Sequence, residues 1–238
     1  MRIALFSDIH GNLAALRAVA VALAREQAVD HVVVAGDHLQ GGPRPAEVWE
    51  MLTSRGWNLI RGNEDDALLQ VEAAVERYPA SYRQAALAQC TWTCQRIGPE
   101  ILTQLAALPE SWRASTPAGD ILVVHASPRS LDDRVGGAHN SLKEMREAYS
   151  GAHASAIAFG HFHRSFVRPT PFALLINVAS VGLPLDNRPL ANYTVVTGDA
   201  DGWIVEQHQV PYDPSEEATI AEARGMPLWV PSPTPSEA

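Results

Sequence analysis

Between residues 3 and 163 an apolar run repeatedly ends on a residue that can hold a metal ion or a proton. Ile3–Phe6 leads to Asp8 and His10, and His31–Ala35 leads to Asp37. Trp57–Arg61 leads to Asn63, Asp120–Val124 to His125, and Ala156–Phe159 to His161 and His163. In extended chain, side chains at i and i+2 leave the same side. Asp8 and His10 can therefore converge beyond the end of a strand, whereas on a helix the same spacing splays them apart. Any one of these blocks alone reads as a turn, a cap or a hydrogen-bonded core histidine. Their recurrence asks for a fold that brings separate strand ends to one place.

The order of elements supplies such a fold. Residues 2–7 read as a buried strand and 13–26 as an amphipathic helix with Asn12 as its N-cap. A second strand covers 31–35, a helix covers about 46–55 with Pro45 in its first turn, and a third strand covers 57–61. Strand, polar tip and helix in alternation favour a parallel sheet with functional residues at the carboxyl ends of the strands. From Asp66 to about Leu108 the chain is rich in Ala, Gln and Leu at helical spacing. It reads as two or three helices broken near Tyr78-Pro79 and Gly98-Pro99, either a cap over the site or an outer layer. Strands resume at 120–124, a helix is expected over 139–150, and further strands over 156–159, 172–178, 191–197 and 203–210. The domain reading is a single unit over 1–212 with a helical insert at 66–108. Residues 213–238 follow as a short helix near 214–223 and a poorly ordered tail rich in Pro and Ser.

Composition narrows the partners. Hydrophobic residues make up 46% of the 238 and charged residues 19%, enough for a sizeable core. The formal net charge is −9 and no Lys/Arg cluster is present, which disfavours a nucleic-acid backbone as ligand. An anionic small molecule stays open, because bound cations reverse a local field. Cys90 and Cys94, four apart in a helical pattern, read as reduced core thiols rather than a disulfide framework. No apolar stretch approaches the roughly 20 residues that span a bilayer, so a cytoplasmic location is expected. A homo-oligomer is compatible with the sequence.

Seven donors at strand ends exceed what one ion needs and point to two metals sharing a carboxylate. Imidazole, carboxylate and one amide carbonyl suit Mn, Fe, Zn or Ni, with Mn first, and do not suit Ca or a thiolate site. Asp8-x-His10, Gly36-Asp37, Gly62-Asn63-x-Asp65, His125 and Gly160-His-x-His163 together resemble the calcineurin-like metallophosphoesterases, in their order and at their strand ends. Gly36–Pro45, His125–Pro128 and Asn177–Gly182 look like the bacterial branch that includes small phosphodiesterases and diadenosine tetraphosphatase relatives. The resemblance implies an α/β fold of two mixed sheets packed as a sandwich with helices on both outer faces. It implies that Asp8, His10 and His163 hold one divalent ion, that Asn63, His125 and His161 hold the other, and that Asp37 bridges them. A hydroxide held between the ions would attack phosphorus in a small-molecule phosphoester. The helix starting near Leu13 can add its N-terminal dipole to the anion site, and Arg129 and Arg164, beside ligand positions, are candidate phosphate contacts. His38, after the bridging Asp, can support a metal ligand from behind, but reads first as a surface-loop residue.

One position departs from the family pattern. Where many members have His after Gly-Asn, this chain has Glu64, followed by Asp65, which in the family orients that His. Asp37, Asn63, Glu64 and Asp65 are thus the candidate catalytic set. Glu64 can serve as an unusual general acid, or the metals can work alone on substrates with good leaving groups. It can also mark a metal-loaded phosphate-binding or regulatory protein with poor turnover. The expected activity is hydrolysis of phosphodiesters of small or nucleotide substrates, with phosphomonoesters, phosphoproteins and dinucleoside polyphosphates as alternatives.

Overall fold

A computed structural model describes residues 1–137, 139–186 and 188–227; the expected disordered end of the tail falls on residues 228–238, outside those described. In chain order the elements are β1 (Arg2–Phe6), α1 (Leu13–Leu23), β2 (His31–Val34), α2 (Pro45–Ser54), β3 (Asn58–Leu59), α3 (Asn63–Leu69), α4 (Val71–Val75) and α5 (Arg83–Ala106). They continue with β4 (Ser111–Thr116), β5 (Gly119–Val124), α6 (Leu142–Tyr149), a 3₁₀ turn (Ser150–Ala152), β6 (Ala156–Phe159), β7 (Phe166–Pro169), β8 (Leu174–Asn177), β9 (Leu190–Asp199), β10 (Gly202–Pro211) and α7 (Ser215–Ala223).

The strands form two five-stranded sheets, ordered β10-β9-β1-β2-β3 and β4-β5-β6-β8-β7. The first is parallel from β1 through β3 and antiparallel at β9 and β10; the second has a parallel centre and antiparallel margins. In the first, Ile3 pairs with His31 and Phe6 with Val34 in parallel, while Leu5 pairs antiparallel with Thr194. In the second, β5, β6 and β8 run parallel and β4 and β7 run against them. The sheets face each other across Ile3, Leu5, Val33, Ala35 and Ile60 on one side and Ile121, Val123, Ala156, Ala158 and Ile176 on the other. Phe6 and Val34 turn outward, toward Leu16 and Val19 of α1, Val48 and Leu52 of α2, and Cys90, Ile97 and Leu105 of α5. Leu122, Val124, Ile157 and Phe159 turn outward under Met145, Ala148 and Tyr149 of α6. The central strands are covered on both faces, which is why they read as unbroken apolar runs rather than alternating ones. The expected sandwich, with helices outside each sheet, is the fold found.

Two strands carry no apolar run and escape a reading by hydrophobicity. Along β4, Ser-Trp-Arg-Ala-Ser-Thr alternates exposed with half-buried residues, as befits an edge strand with one wet face. The edge strand β7 is four residues long and ends in a proline. The helical stretch resolves as an outer layer: α5 packs on the first sheet's helical face through Cys90, Ile97 and Leu105. It kinks at Gly98, whose φ of 71° precedes Pro99. Among the described residues no helix is long and apolar enough to cross a membrane.

The helix α7 is fastened by charge. Glu217 is almost wholly covered; it accepts from Arg44 Nε at 3.1 and 3.2 Å and from the Ala14 amide at 2.7 Å, in the first turn of α1. Removing one member of a buried pair strands the other charge, at a cost of about 3–5 kcal/mol. Glu217→Ala is expected to lower unfolding stability by about 3 kcal/mol in a denaturant titration, far more than the same change at the exposed Glu216.

Candidate metal centre

The strand tips place the donors by leaving extended geometry. β1 ends at Phe6, so Asp8 and His10 do not converge by strand alternation. Asp8 (φ 57°), His10 (φ 51°), Asp37 (φ 56°), His161 (φ 64°) and His163 (φ 52°) all lie in the left-handed region. Such conformations cost about 1 kcal/mol or more each for residues with a Cβ and gather at functional sites. The turns are held by one another: the Asp8 amide donates to Gly36 O at 3.0 Å, the His10 amide to Asp37 O at 3.0 Å, and the Gly160 amide to His125 O at 2.9 Å. Bare glycines make the approach feasible. A Cβ at Gly62 would strike Asp37, and one at Gly160 would strike Ser7 and Asp8.

Three imidazoles are oriented alike by backbone carbonyls. His10 Nδ1 donates to Gln40 O, His125 Nδ1 to Ala35 O and His163 Nδ1 to Leu183 O, each at 2.7 Å. A carbonyl cannot donate, so the proton sits on Nδ1 and Nε2 of each ring faces inward. His161 is reversed. Its Nδ1 lies 2.8 Å from Asn63 Oδ1, beside His125 Nε2 at 2.7 Å from the same oxygen, and its Nε2 faces Asp132 Oδ1 at 3.8 Å. The donors form two groups, buried Asp8 and His10 with half-buried His163, and buried Asp37 with His125 and His161. Asp37 Oδ2 lies 3.3 Å from His125 Nε2 and 3.8 Å from His10 Nε2, between the groups.

The donor set fits divalent cations. Asp8 Oδ1 is buried with no hydrogen-bond donor, 3.2 Å from His163 Nε2. His10 Nε2 and His163 Nε2 approach to 3.2 Å and both face that oxygen, the donor arrangement of a cation site. Without metal the cluster balances its own charge. Burial works against ionising Asp8, but His163 outweighs it and holds the carboxyl below the usual range. Asp37 is held low in the same way, against its burial, by His125, His10 and His161. Burial also opposes a charge on His125, yet the Asp37 carboxylate pushes it up to about 10, and Asp8 raises His163 likewise. Burial holds His10 low; burial and the charge on His125 press His161 down to about 3.

The other sequence candidates have particular places. Asp65 is fully buried, with His38 Nε2 3.7 Å from its Oδ2, and its hydrogen bonds go to backbone. It accepts from the amides of Asp37 (2.9 Å), Gly62 (3.0 Å) and His38 (2.9 Å), clamping the β2 tip to the start of α3. Glu64 donates its amide to Asp37 Oδ1 at 2.8 Å and accepts from Asn63 Nδ2 at 3.2 Å, which turns the Asn63 carbonyl oxygen toward His125 and His161. Arg129 is engaged by both oxygens of Asp133, and Arg164 is exposed. His38 is fully buried, not on a surface loop, and its Nε2 meets Ile60 O at 2.9 Å. The first amides of α1 are taken by Asn12 and Glu217, so that N-terminus serves its own caps. Asp132, beside His161, and Arg77, which pairs with Asp132, stand outside the apolar-run pattern, so the sequence does not single them out.

Residues 1–224 match the calcineurin-like phosphoesterase superfamily domain. The chain is 26% identical over 249 residues to an uncharacterized protein of Methanocaldococcus jannaschii, covering 96% of this chain and 95% of that one. It resembles the crystal structure of a metallophosphoesterase from Sphaerobacter thermophilus at 25% identity and a TM-score of 0.71, with 95% of each chain covered. A hypothetical protein from Pyrococcus horikoshii OT3 shares the fold at 17% identity and a TM-score of 0.81, covering 95% of this chain and 94% of that one. The chain belongs to the calcineurin-like phosphoesterase superfamily, a family of metal-dependent hydrolases.

A metal can take Nε2 of His125 and His163 only when the proton there has left. Mn²⁺ binding at pH 8 is therefore expected to release protons, and apparent affinity to rise with pH up to about 10. In metal-free protein the raised His125 value stabilises the fold fully below about 6.5, and that contribution is lost as pH climbs through about 10. Titration calorimetry in buffers of different ionisation enthalpy checks the release; identical heats in all buffers would refute it.

Proposed function

We propose that this calcineurin-like phosphoesterase is a dinuclear metal-dependent phosphodiesterase of small or nucleotide-type substrates. In this reading Asp8, His10 and His163 hold one divalent cation, Asn63, His125 and His161 hold the other, and Asp37 serves both. The observation that carries it is the Asp37 carboxylate. One oxygen faces imidazoles of both groups, while the other is fixed by the Glu64 amide. Manganese is the first choice for this mixture of imidazole, carboxylate and amide oxygen.

Two such cations supply Lewis-acid charge and a water that ionises near neutral pH. The chain supplies position. Carbonyls of Ala35, Gln40 and Leu183 fix three ring tautomers, and Asp65 fixes the peptide that carries Asp37. Glu64 fixes the amide of Asn63. That occupation argues for a carboxylate that orients rather than an acid that protonates the leaving group. General acid catalysis is worth about 10²–10⁴-fold. Without it the site favours leaving oxygens that depart without a proton, as in aryl diesters and phosphoanhydrides.

Hydrolysis of bis-p-nitrophenyl phosphate in the presence of Mn²⁺ tests the reading. Measurable turnover is expected; none with Mn, Ni, Co, Zn or Fe would overturn it. A second experiment separates the roles of Glu64. Glu64→Gln keeps an oxygen for Asn63 Nδ2 and is expected to retain activity within about threefold. Glu64→Leu loses that acceptor and is expected to weaken metal affinity about 10–100-fold, the usual cost of removing a group that orients a ligand. A Gln variant as inactive as the Leu variant, with metal still bound, would restore the general-acid role.

A further inference from the structure

We propose that Arg77, in the turn after α4 of the helical layer, is a substrate-binding residue that grips a phosphoryl oxygen at the second metal group, and that Asp132 holds it in reserve until substrate arrives. This rests on the phosphoesterase reading and adds a specificity residue to it.

The placement follows from the contacts of Arg77. Arg77 Nη1 donates to Asp132 Oδ2 at 3.3 Å, and the other oxygen of that carboxylate lies 3.8 Å from His161 Nε2. The guanidinium is thus one carboxylate away from a residue of the second group. On the other side, its Nε donates to Ala74 O of α4, so Arg77 joins the helical layer to the Asp132 loop. The helical layer, which otherwise packs on the first sheet, delivers a cation to the rim of the site.

The pair is built to exchange. Both side chains are well exposed, 37% for Arg77 and 41% for Asp132. An ion pair in that setting is worth only about 0–1 kcal/mol. Arg77 is steadied without Asp132, since its Nε donates to Ala74 O at 3.4 Å. A guanidinium fork matches two phosphate oxygens in a way an ammonium does not. The alternative cation near the second group is less available, because Arg129 is already engaged by both oxygens of Asp133. Arg134, also within the field felt by Asp132, lies on the same loop and serves as the comparison.

The experiment uses manganese-loaded full-length protein with bis-p-nitrophenyl phosphate as substrate and inorganic phosphate as competitor. Arg77→Ala is expected to raise KM and the phosphate inhibition constant about tenfold, the size of one lost charge-assisted hydrogen bond. Arg77→Lys should recover only part of the loss, and Arg134→Ala should change both constants less than twofold. Asp132→Asn frees the guanidinium and should tighten phosphate, the opposite sign to Arg77→Ala. Calorimetric phosphate binding to the loaded proteins reads the same shifts without turnover. If Arg77→Ala and Asp132→Asn weaken phosphate alike, the pair is only a tie between layers and the proposal falls. It also falls if wild type turns over and Arg77→Ala leaves KM and phosphate binding unchanged. A wild type with no turnover in any metal, but with phosphate binding that depends on Arg77, would instead overturn the enzymatic reading and leave this one standing.

Discussion

The backbone lacing between the tips of β1 and β2 is the constraint on which the site depends. The amides of Asp8, His10 and Gly11 donate in turn to the carbonyls of Gly36, Asp37 and His38. These are buried peptide groups, and leaving one unpaired costs about 1–3 kcal/mol. They therefore fix the phase of one turn against the other and hold Asp8, His10 and Asp37 in backbone conformations that ordinary chain avoids. The same logic runs to the second sheet, where the His161 amide donates to Asp8 Oδ2 at 3.0 Å and the Gly182 amide to Asp8 O at 3.0 Å. Asp8 is thereby a structural junction as well as a candidate ligand.

Acidity in the site is less than its carboxylates suggest. Asp65 spends its charge on three amides, Glu64 lends an oxygen to Asn63, and Asp8 and Asp37 face histidines that their own fields charge. Each carboxylate is answered inside the protein. A formal charge of −9 over the chain is thus compatible with an anionic substrate at this one place.

What could be read from the sequence follows from what each feature leaves in the residues. Central strands buried on both faces write continuous apolar runs, so β1, β2, β5 and β6 and the residues at their ends were visible. The edge strands β4 and β7 write a half-polar pattern that resembles loop. Strand alternation predicts the convergence of Asp8 with His10, but left-handed turns are what bring them together. Nothing in an Asp-x-His spacing reports φ. The pairing of two sheets came from the resemblance, because a sequence of alternating strands and helices fits one open sheet equally well. The exposed guanidinium of Arg129 looked available by its position beside His125, while its engagement by Asp133, four residues on, depends on a turn that the residue types alone do not specify.

The position of β1 has a consequence for how the chain is born. It sits inside its sheet, with β2 on one edge and β9 on the other, and Leu5 meets Thr194. The ribosome delivers His31 soon after Ile3, but it must add the helical layer and the whole second sheet before Thr194 emerges. At about 5–20 residues per second that interval is roughly 10–40 s. For that time an apolar strand carries a bare hydrogen-bonding edge, which is the circumstance in which nascent chains recruit holding factors or stick to one another.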